Sequence, residues 1–380
     1  MKVLIAPNSL KGSLDAIEVA TAIAEGLSRA VPGAELDQLP IADGGDLTAA
    51  VLVRGLGGTM IGAGVTDPLG RPIRAEWGLL ADGTTAVVEV ARASGLALLS
   101  DEERNPMVAT SYGAGELIRA ALERGCRRII VGLGGSATVD GAAGLAEELG
   151  VRLVDASGAP IARGGGGLAR LDHIDVSKID PHLAGAAIVV ACDVDNELLG
   201  KAGAARVFGP QKGATPAMVD ALEANLGRLA DVIERDLGRD IRRVAHGGAA
   251  GGMAAGMSGL LGGKLERGID LILDALRFDE RVAGCDLVVT SEGLLDRQTL
   301  GNKGPFGVAR AAKRHGVPVV VLAGGLSDDV TSAEFSVFDA IFSICPRPMP
   351  LQEAMAKTRE RMSATAENVG RLWSAARRTT

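Results

Sequence analysis

Short apolar runs alternate with amphipathic segments at both ends of the chain, and this alternation restricts the possible folds more than any other feature. An apolar run at residues 3–6 precedes helical apolar spacing over residues 13–30, and residues 35–41 indicate a second strand. Strands and helices that alternate on this period are typical of a doubly wound parallel sheet. The C-terminal part predicts strands at 286–290, 318–323 and 338–344, with helices at 305–315 and 351–376.

The middle of the chain interrupts this pattern, which resumes after it. Residues 77–80 and 86–90 predict paired strands. We therefore expect an α/β fold in which residues 1–57 and 285–380 form a split, doubly wound parallel-sheet domain. Residues 58–284 form a second α/β domain inserted into the first, with a cleft between the two. Further elements are predicted in the inserted part, namely helices at 111–124, 142–149 and 218–237 and strands at 129–132, 151–154 and 188–191.

Composition and charge argue against several function classes. The net charge of −7 gives no general attraction to nucleic acid or to acidic membranes, and with 2% aromatic residues the chain offers few base-stacking platforms. The four cysteines form no C-x-x-C pair and the four histidines no H-x-x-x-H pair, so we expect a reduced, cytoplasmic protein without a zinc site. We expect no membrane-spanning segment, because the apolar stretches are too short.

A glycine-rich segment joins the strand predicted near residue 130 to the helix that follows it. Gly134, Gly135 and Ser136 would present backbone N–H groups and a helix N-terminus to a phosphate group. The stretch 132–137 also matches the G-x-G-x-x-A dinucleotide fingerprint, with Asp155 after the next strand. An NAD(P)-dependent oxidoreductase is therefore an alternative. Close packing of strand on helix would also explain the glycines.

Carboxylates follow two other predicted strands. Asp43 lies in an Asp-Gly-Gly-Asp segment, where it would hold Mg²⁺ or cap the next helix. Asp193, Asp195 and Asn196 are spaced at i, i+2 and i+3. This spacing suits a divalent cation or a general base, and it equally suits an Asx-rich turn.

The densest polar segment follows the strand predicted at residues 286–290. Glu292 and Asp296 are candidates for Mg²⁺ or for a substrate hydroxyl, and Lys303 precedes a predicted helix, where it would contact phosphates. A solvated surface loop is the other interpretation. Lys212 stands alone in a constrained Gly-Pro-Gln-Lys-Gly turn. The chain contains no G-x-x-x-x-G-K-[ST] motif, which argues against a P-loop enzyme.

Taken in order, these segments are more specific than any one of them, and together they resemble the glycerate kinase family of bacterial glycerate and glyoxylate metabolism. The resemblance covers nearly the whole chain. It is carried by APNSLK at residues 6–11, ADGG at 42–45, DPLGRP at 67–72, ASGL at 93–96, RNP at 104–106, YGAGELI at 112–118, GGSAT at 134–138, ACDVDN at 191–196, VFGPQKGA at 207–214 and the segment 292–303.

The resemblance implies two α/β domains with the active site in the cleft between them, and transfer of the γ-phosphoryl group of ATP to D-glycerate, at its 2-hydroxyl, with Mg²⁺. The partners would be these small molecules, without nucleic acid or membrane, and homo-oligomerisation is left open. The implied roles are catalytic carboxylates at Asp43, Asp193 and Asp296, phosphate-binding cations at Lys11 and Lys303, a backbone cradle at Gly134, Gly135 and Ser136, a substrate carboxylate held by Arg71 or Lys212, and metal ligands at Asp193 and Glu292.

Five positions depart from the family motifs. Asp46-Leu47 stands where the family has Glu-Gly, Val139 stands for an asparagine, Leu294 for an arginine and Asn8 for an aspartate. Because these departures lie inside the motifs, a third possibility is a catalytically impaired paralogue that binds ligand.

Overall fold

The computed structural model describes residues 1–10, 12–42, 48–300, 304–331 and 333–377. The chain divides into two compact units. The split unit draws on positions 1–43 and 269–380, and the central unit on positions 44–268. The sequence-based domain division places the junctions at 57 rather than 43 and at 284 rather than 268. Among the described helices, none combines the length and apolarity that a membrane crossing requires.

The N-terminal part of the split unit forms a βαβ unit, as the alternating pattern predicts. The helix begins at a capping box: the Asp15 carboxylate accepts from the Glu18 backbone N–H at 2.8 Å, and the Glu18 carboxylate accepts from the Asp15 N–H at 3.0 Å. Its apolar face is buried. The elements are β1 Lys2–Ile5, α1 Ala16–Ala30 and β2 Glu35–Gln38.

The central unit contains a six-stranded and a two-stranded sheet. The helices are α2 Thr48–Leu56, α3 Ala91–Ser94, α4 Tyr112–Glu123, α5 Ala143–Glu148, α6 Ala204–Phe208, α7 Pro216–Leu237 and α8 Ala249–Leu261. The strands are β3 Gly58–Thr66, β4 Pro72–Leu80, β5 Thr85–Glu89, β6 Arg128–Gly132, β7 Arg152–Val154, β8 His173–Asp175, β9 Ala187–Cys192 and β10 Lys264–Arg267.

The larger sheet of the central unit has the order β10-β9-β6-β5-β4-β3. Strands β10, β9, β6 and β5 run parallel, while β5, β4 and β3 are joined antiparallel. The predicted pairing near residues 78 and 87 is confirmed by the β4–β5 register. Strand β3 escapes sequence analysis because only one of its residues is buried and its glycines hide the period-2 pattern. Strands β7 and β8 form the two-stranded sheet.

The C-terminal part completes the split unit, whose sheet has the order β13-β12-β11-β1-β2 and is parallel throughout. The mixed α/β fold with mainly parallel sheets is therefore confirmed. The helices are α9 Gly268–Ala275, α10 Phe278–Val282, α11 Arg297–Leu300, α12 Gly304–Arg314, α13 Leu351–Ala356 and α14 Thr358–Arg377. The strands are β11 Leu287–Leu295, β12 Val319–Leu326 and β13 Ala340–Ser343.

Two C-terminal boundaries differ from the sequence prediction. Strand β11 continues to Leu295, because Glu292 and Leu294 remain in register with Ala323 and Gly325 of β12. Residues 351–376, predicted as one helix, form two helices that are separated at Lys357, whose ψ of 19° departs from helical backbone.

Candidate active site

Three neighbouring parallel strands of the central unit end at the same edge of its sheet. Strand β5 ends at Glu89, which is in register with Gly132 at the end of β6, and Gly132 is in register with Ala191 near the end of β9. Ligands of parallel α/β sheets bind beyond this carboxyl edge. The glycine loop, which we define as residues 133–142, and Asp193 both emerge here.

Backbone geometry gives the glycine loop a defined shape. Gly135 has a left-handed backbone with φ of 71°, which glycine adopts without strain. The Leu96 N–H donates to the Gly135 carbonyl at 2.8 Å, and the Ala137 N–H donates to the Ser94 carbonyl at 2.9 Å. The segment after β5 is therefore hydrogen-bonded to the backbone of the glycine loop.

Lys212 is a buried cation that also bonds to the glycine loop. Lys212 is only 2% exposed to solvent. The Lys212 Nζ donates to the Ser136 Oγ at 2.9 Å and to the Thr138 carbonyl at 2.7 Å. Burial lowers the pKa of Lys212 to about 7, and the charge of Asp140 opposes that shift.

Asp140 ends the polar part of the glycine loop, and sequence analysis missed it. Its Oδ2 accepts from the backbone N–H of Ser111 at 2.9 Å, from the Ser111 hydroxyl at 2.8 Å and from the Gly144 N–H at 3.3 Å. Burial raises the pKa of Asp140. The sequence places Asp140 just before a predicted helix, and this position could have identified it as a helix cap. Its carboxylate reaches an N–H group in the first turn of α5.

Several buried polar atoms around the glycine loop lack a hydrogen-bond partner among the described residues. They are the Ser94 Oγ, the Thr138 Oγ1 and the Asp140 Oδ1. Unsatisfied buried polar atoms are rare in folded proteins and are costly unless water or a ligand meets them. Their concentration on and beside one loop marks this part of the central unit as a binding region.

Asp193 follows β9 directly, and its loop is held by its neighbours. The His246 Nδ1 lies 2.9 Å from the Val194 carbonyl and 3.2 Å from the Asp195 carboxylate. The Asn196 side-chain amide donates to the Ala202 carbonyl at 2.8 Å. Asp195 and Asn196 thus hold the loop through His246 and Ala202, whereas Asp193 is half-buried at the strand end.

Arg71 is part of a small ion-pair network in the central unit. Its guanidinium contacts the carboxylates of Asp67 and Glu103 while its side chain stays about half exposed. Although burial opposes the shift, hydrogen bonds from Arg71 and from the Leu69 N–H hold the pKa of Asp67 below its ordinary value. The guanidinium is therefore positioned and still accessible.

In the split unit, polar side chains lie where β1 and β11 end. The Thr290 hydroxyl donates to the Ala6 carbonyl at 2.8 Å, and the Ser291 hydroxyl donates to the Asn8 carbonyl at 2.8 Å. Glu292 is buried, and its Oε1 accepts from the Gly293 N–H. These contacts fix the backbone that carries Glu292.

The end of β11 carries an exposed apolar side chain, and a helix cap follows it. The Asp296 Oδ1 accepts from the Thr299 N–H, and the Thr299 hydroxyl accepts from the Asp296 N–H, both at 3.2 Å. This reciprocal pair begins α11 and gives Asp296 a capping role. Leu294 is 51% exposed.

Three predicted site residues, Lys11, Asp43 and Lys303, lie outside the described residues. Within the described part of the chain, no group of three or more His, Cys, Asp or Glu side chains is arranged to hold a metal ion. The two predicted metal ligands belong to different units, Asp193 to the central unit and Glu292 to the split unit.

The oxidoreductase alternative is not supported by the position of Asp155. In the dinucleotide-binding fold, the acidic residue ends the strand beside the glycine strand in the same sheet. Here β7 belongs to the separate two-stranded sheet. The Asp155 carboxylate accepts from the Ser157 N–H and hydroxyl and from the Ala159 N–H, and it pairs with Arg170.

Comparisons with known proteins agree with the motif series. The model of the glycerate kinase family matches residues 3–374. A glycerate kinase of Bacillus subtilis (strain 168) is 48% identical, and a glycerate 2-kinase of Escherichia coli (strain K12) is 45% identical, each over 369 residues and 97% of both chains. A solved structure described as glycerate kinase 2 from Salmonella typhimurium LT2 is 46% identical, with a TM-score of 0.90 over 100% of this chain and 99% of that one. The chain therefore belongs to the glycerate kinase family and is a phosphotransferase.

Proposed function

We propose that this enzyme transfers the γ-phosphoryl group of Mg-ATP to the 2-hydroxyl of D-glycerate in the cytoplasm. Family membership supports glycerate as the acceptor, and the relative named glycerate 2-kinase supports the position. The structural observation that carries the proposal is the glycine loop, which follows a parallel strand at the ligand-binding edge of its sheet and is bonded to a buried lysine.

In this proposal the glycine loop binds the donor phosphates. Residues 134–136 offer backbone N–H groups to phosphate oxygens, which is how glycine loops beside helix N-termini hold anions. Lys11 and Lys303 would neutralise charge that develops on the transferring group. The bond between the γ-phosphorus and the β,γ-bridging oxygen breaks as a bond to the glycerate oxygen forms.

The acceptor side needs a carboxylate for the hydroxyl proton and a cation for the substrate carboxylate. Asp43, Asp193 and Asp296 are the proton-accepting candidates, and the capping role of Asp296 favours the other two. Arg71 suits the glycerate carboxylate, because its guanidinium is positioned by two acids and remains half exposed.

Carboxylate oxygens of the kind that Asp193 and Glu292 carry suit a hard divalent cation. Asp193 and Glu292 offer carboxylate oxygens, the ligands that Mg²⁺ prefers, and Asp193 is half-buried rather than fully solvated. We assign these two residues to Mg²⁺. When bound, the ion neutralises phosphate charge and orients the phosphates.

A second candidate is a ligand-binding paralogue with little turnover. It is favoured by one observation, the exposed Leu294 at the position where the family motif has an arginine. Loss of an arginine from a phosphoryl-transfer site lowers turnover without removing the phosphate-binding loop.

One assay separates these functions. Purified enzyme is incubated with Mg-ATP and D-glycerate while ADP release is followed, with NADH absorbance recorded in parallel samples that contain oxo acids. The kinase proposal predicts ADP release that requires both glycerate and Mg²⁺. ATP binding without glycerate-dependent ADP release would favour the paralogue. NADH consumption without ADP release would contradict both.

A further inference from the structure

A buried lysine and a buried aspartate lie at the glycine loop, and the chemistry proposed above does not use either directly. Lys212 is 2% exposed and Asp140 is fully buried. Among the described residues, the hydrogen bonds of the Lys212 amine go to Ser136 and Thr138. An amine that is buried in this way is badly placed to hold a substrate carboxylate, one of the roles that the sequence suggests for it.

The turn that carries Lys212 is rigid. The Lys212 N–H donates to the Gly209 carbonyl at 3.0 Å, and the Gly213 N–H donates to the Pro210 carbonyl at 3.1 Å. Gly213 has φ of 89°, and a Cβ there would lie 2.1 Å from the Arg104 carbonyl. The turn therefore holds the backbone of Lys212 in one conformation, with the amine directed to the glycine loop.

The glycine loop is held from other directions as well. A Cβ on Gly251 of α8 would lie 2.1 Å from the Thr138 carbonyl, so this helix packs directly on the loop backbone. Asp140 ties the end of the loop to Ser111 and to the start of α5. Lys212 supplies the bonds that fix the middle, at Ser136 and Thr138.

A neutral side chain would hold the loop at lower cost. Burying an amine is expensive, as the lowering of the Lys212 pKa to about 7 reflects. A cation at this place also makes the surrounding potential more favourable for an anion on the loop, since charge acts strongly in a poorly solvated interior. The position of the Lys212 amine and its charge would thus both favour binding of an anion to the glycine loop.

We propose that Lys212, supported by Asp140, is a positioning residue that holds Ser136 and the backbone of the glycine loop in the conformation that binds the donor phosphates. The inference rests on the proposed function, because it takes a nucleoside triphosphate as the ligand of this loop. Lys212 itself does not contact the substrate.

The test is Lys212→Met, which removes the amine and keeps most of the side-chain length. We expect the KM for ATP and the dissociation constant of ATP, measured by calorimetric titration, to rise about 10–100-fold, as misplacement of a binding group by about 1 Å does. The KM for D-glycerate should change little. If the enzyme carrying Lys212→Met does not fold, Lys212→Gln, which keeps a donor, replaces it in the same measurements.

Asn225→Leu is the matched control. Asn225 is also buried in the central unit, and its amide donates to the Gly165 carbonyl at 2.8 Å. This variant should lose stability without weakening ATP binding. A double-mutant cycle with Ser136→Ala should show coupling, so that the double variant loses less ATP affinity than the two single losses combined.

Two results would overturn the inference: unchanged ATP affinity in the folded Lys212 variant, or an equal loss of affinity in Asn225→Leu. Failure of the proposed function looks different. Wild-type enzyme that binds ATP without glycerate-dependent ADP release refutes the kinase assignment, and the ATP titration still decides the role of Lys212. Wild-type enzyme that does not bind ATP refutes both.

Discussion

The two units fix their strand ends by different means. In the central unit, a buried amine and a buried carboxylate, Lys212 and Asp140, hold the glycine loop after β6. In the split unit, the neutral hydroxyls of Thr290 and Ser291 tie β11 to the carbonyls that follow β1. The backbone of the first region is held by buried ionisable side chains, and that of the second by hydrogen bonds from neutral hydroxyls.

This contrast indicates which of the two regions better tolerates amino-acid substitutions. A neutral hydroxyl bond contributes about 1 kcal/mol, so the edge of the split unit can lose one and keep its register. A buried charged group is costly, and removing its partner is costlier still. We infer that the glycine loop is the less adaptable of the two regions: it contains one departure from the family motifs, Val139, whereas Leu294 and Asn8 both fall in the split unit.

The largest effect is expected for Asp193→Asn. Loss of a catalytic or metal-binding carboxylate should lower kcat by roughly 10²–10⁴-fold. Asp195→Asn is the matched control, because Asp195 lies two residues away with a side chain that is 76% exposed, and it should leave kcat nearly unchanged. Equal losses of kcat in steady-state assays of the two variants would show that kcat depends on the conformation of the loop and not on the Asp193 carboxylate.

The second comparison concerns stability. Asp140→Ala removes the buried acceptor of three hydrogen bonds, from the N–H and hydroxyl of Ser111 and from the Gly144 N–H, and should lower the free energy of unfolding by about 3–5 kcal/mol. Ser291→Ala should cost only about 0.5–1.5 kcal/mol. Urea denaturation of both variants measures the difference. Similar losses would mean that the two regions are held equally firmly.

Leu294→Arg tests whether the split unit has lost a catalytic group. Because Leu294 is about half exposed at the end of β11, an arginine fits there without disturbing the core. If the family arginine stabilises the transferring phosphoryl group, turnover should rise about tenfold or more, with the KM for glycerate unchanged. Lower turnover in a folded variant would show that this segment has been rebuilt around Leu294.

The last comparison concerns pH. The ordinary pKa of lysine is 10.5, and burial lowers that of Lys212 to about 7 in the folded chain. Between these values the unfolded chain holds a proton that the folded chain has released, so this group makes stability rise with pH. Below pH 7 both states are protonated and the contribution is absent.

Wild type should therefore gain stability over Lys212→Met between pH 7 and pH 9, by up to about 1.4 kcal/mol per pH unit. Asp140, whose pKa burial raises, acts in the opposite sense, because the folded chain keeps its proton longer, but it is present in both proteins. Unfolding free energies at the two pH values provide the measurement. Parallel curves for the two proteins would contradict a depressed Lys212 pKa.

Much of the fold follows from local sequence periodicity. The apolar runs near residues 3, 130, 189 and 320 are strands, because buried parallel strands are made of Val, Ile and Leu. The polar stretch from Ser291 to Leu295 is expected from the sequence to be a loop. It is part of β11, because it pairs with β12 and because the Ser291 hydroxyl is satisfied by a carbonyl nearly 300 residues away in the chain, which no local pattern reveals.

The site was partly predictable for the same reason. Ser136 and Asp193 follow buried strands, so strand ends alone identified them. The contact of Lys212 with Ser136 joins residues that are 76 positions apart, and it depends on how the turn at 210–213 packs. Asp140 was not singled out in the sequence, and only the structure shows that it is buried and that its charge acts on Lys212.

The most direct test of the account follows the phosphorus atom itself. Phosphorus NMR of enzyme incubated with Mg-ATP and D-glycerate should show one phosphomonoester for each ADP formed, with proton coupling to the single hydrogen on C2, as 2-phosphoglycerate requires. Coupling to the C3 methylene protons would contradict the proposed position. Inorganic phosphate or unchanged ATP would contradict phosphoryl transfer to glycerate.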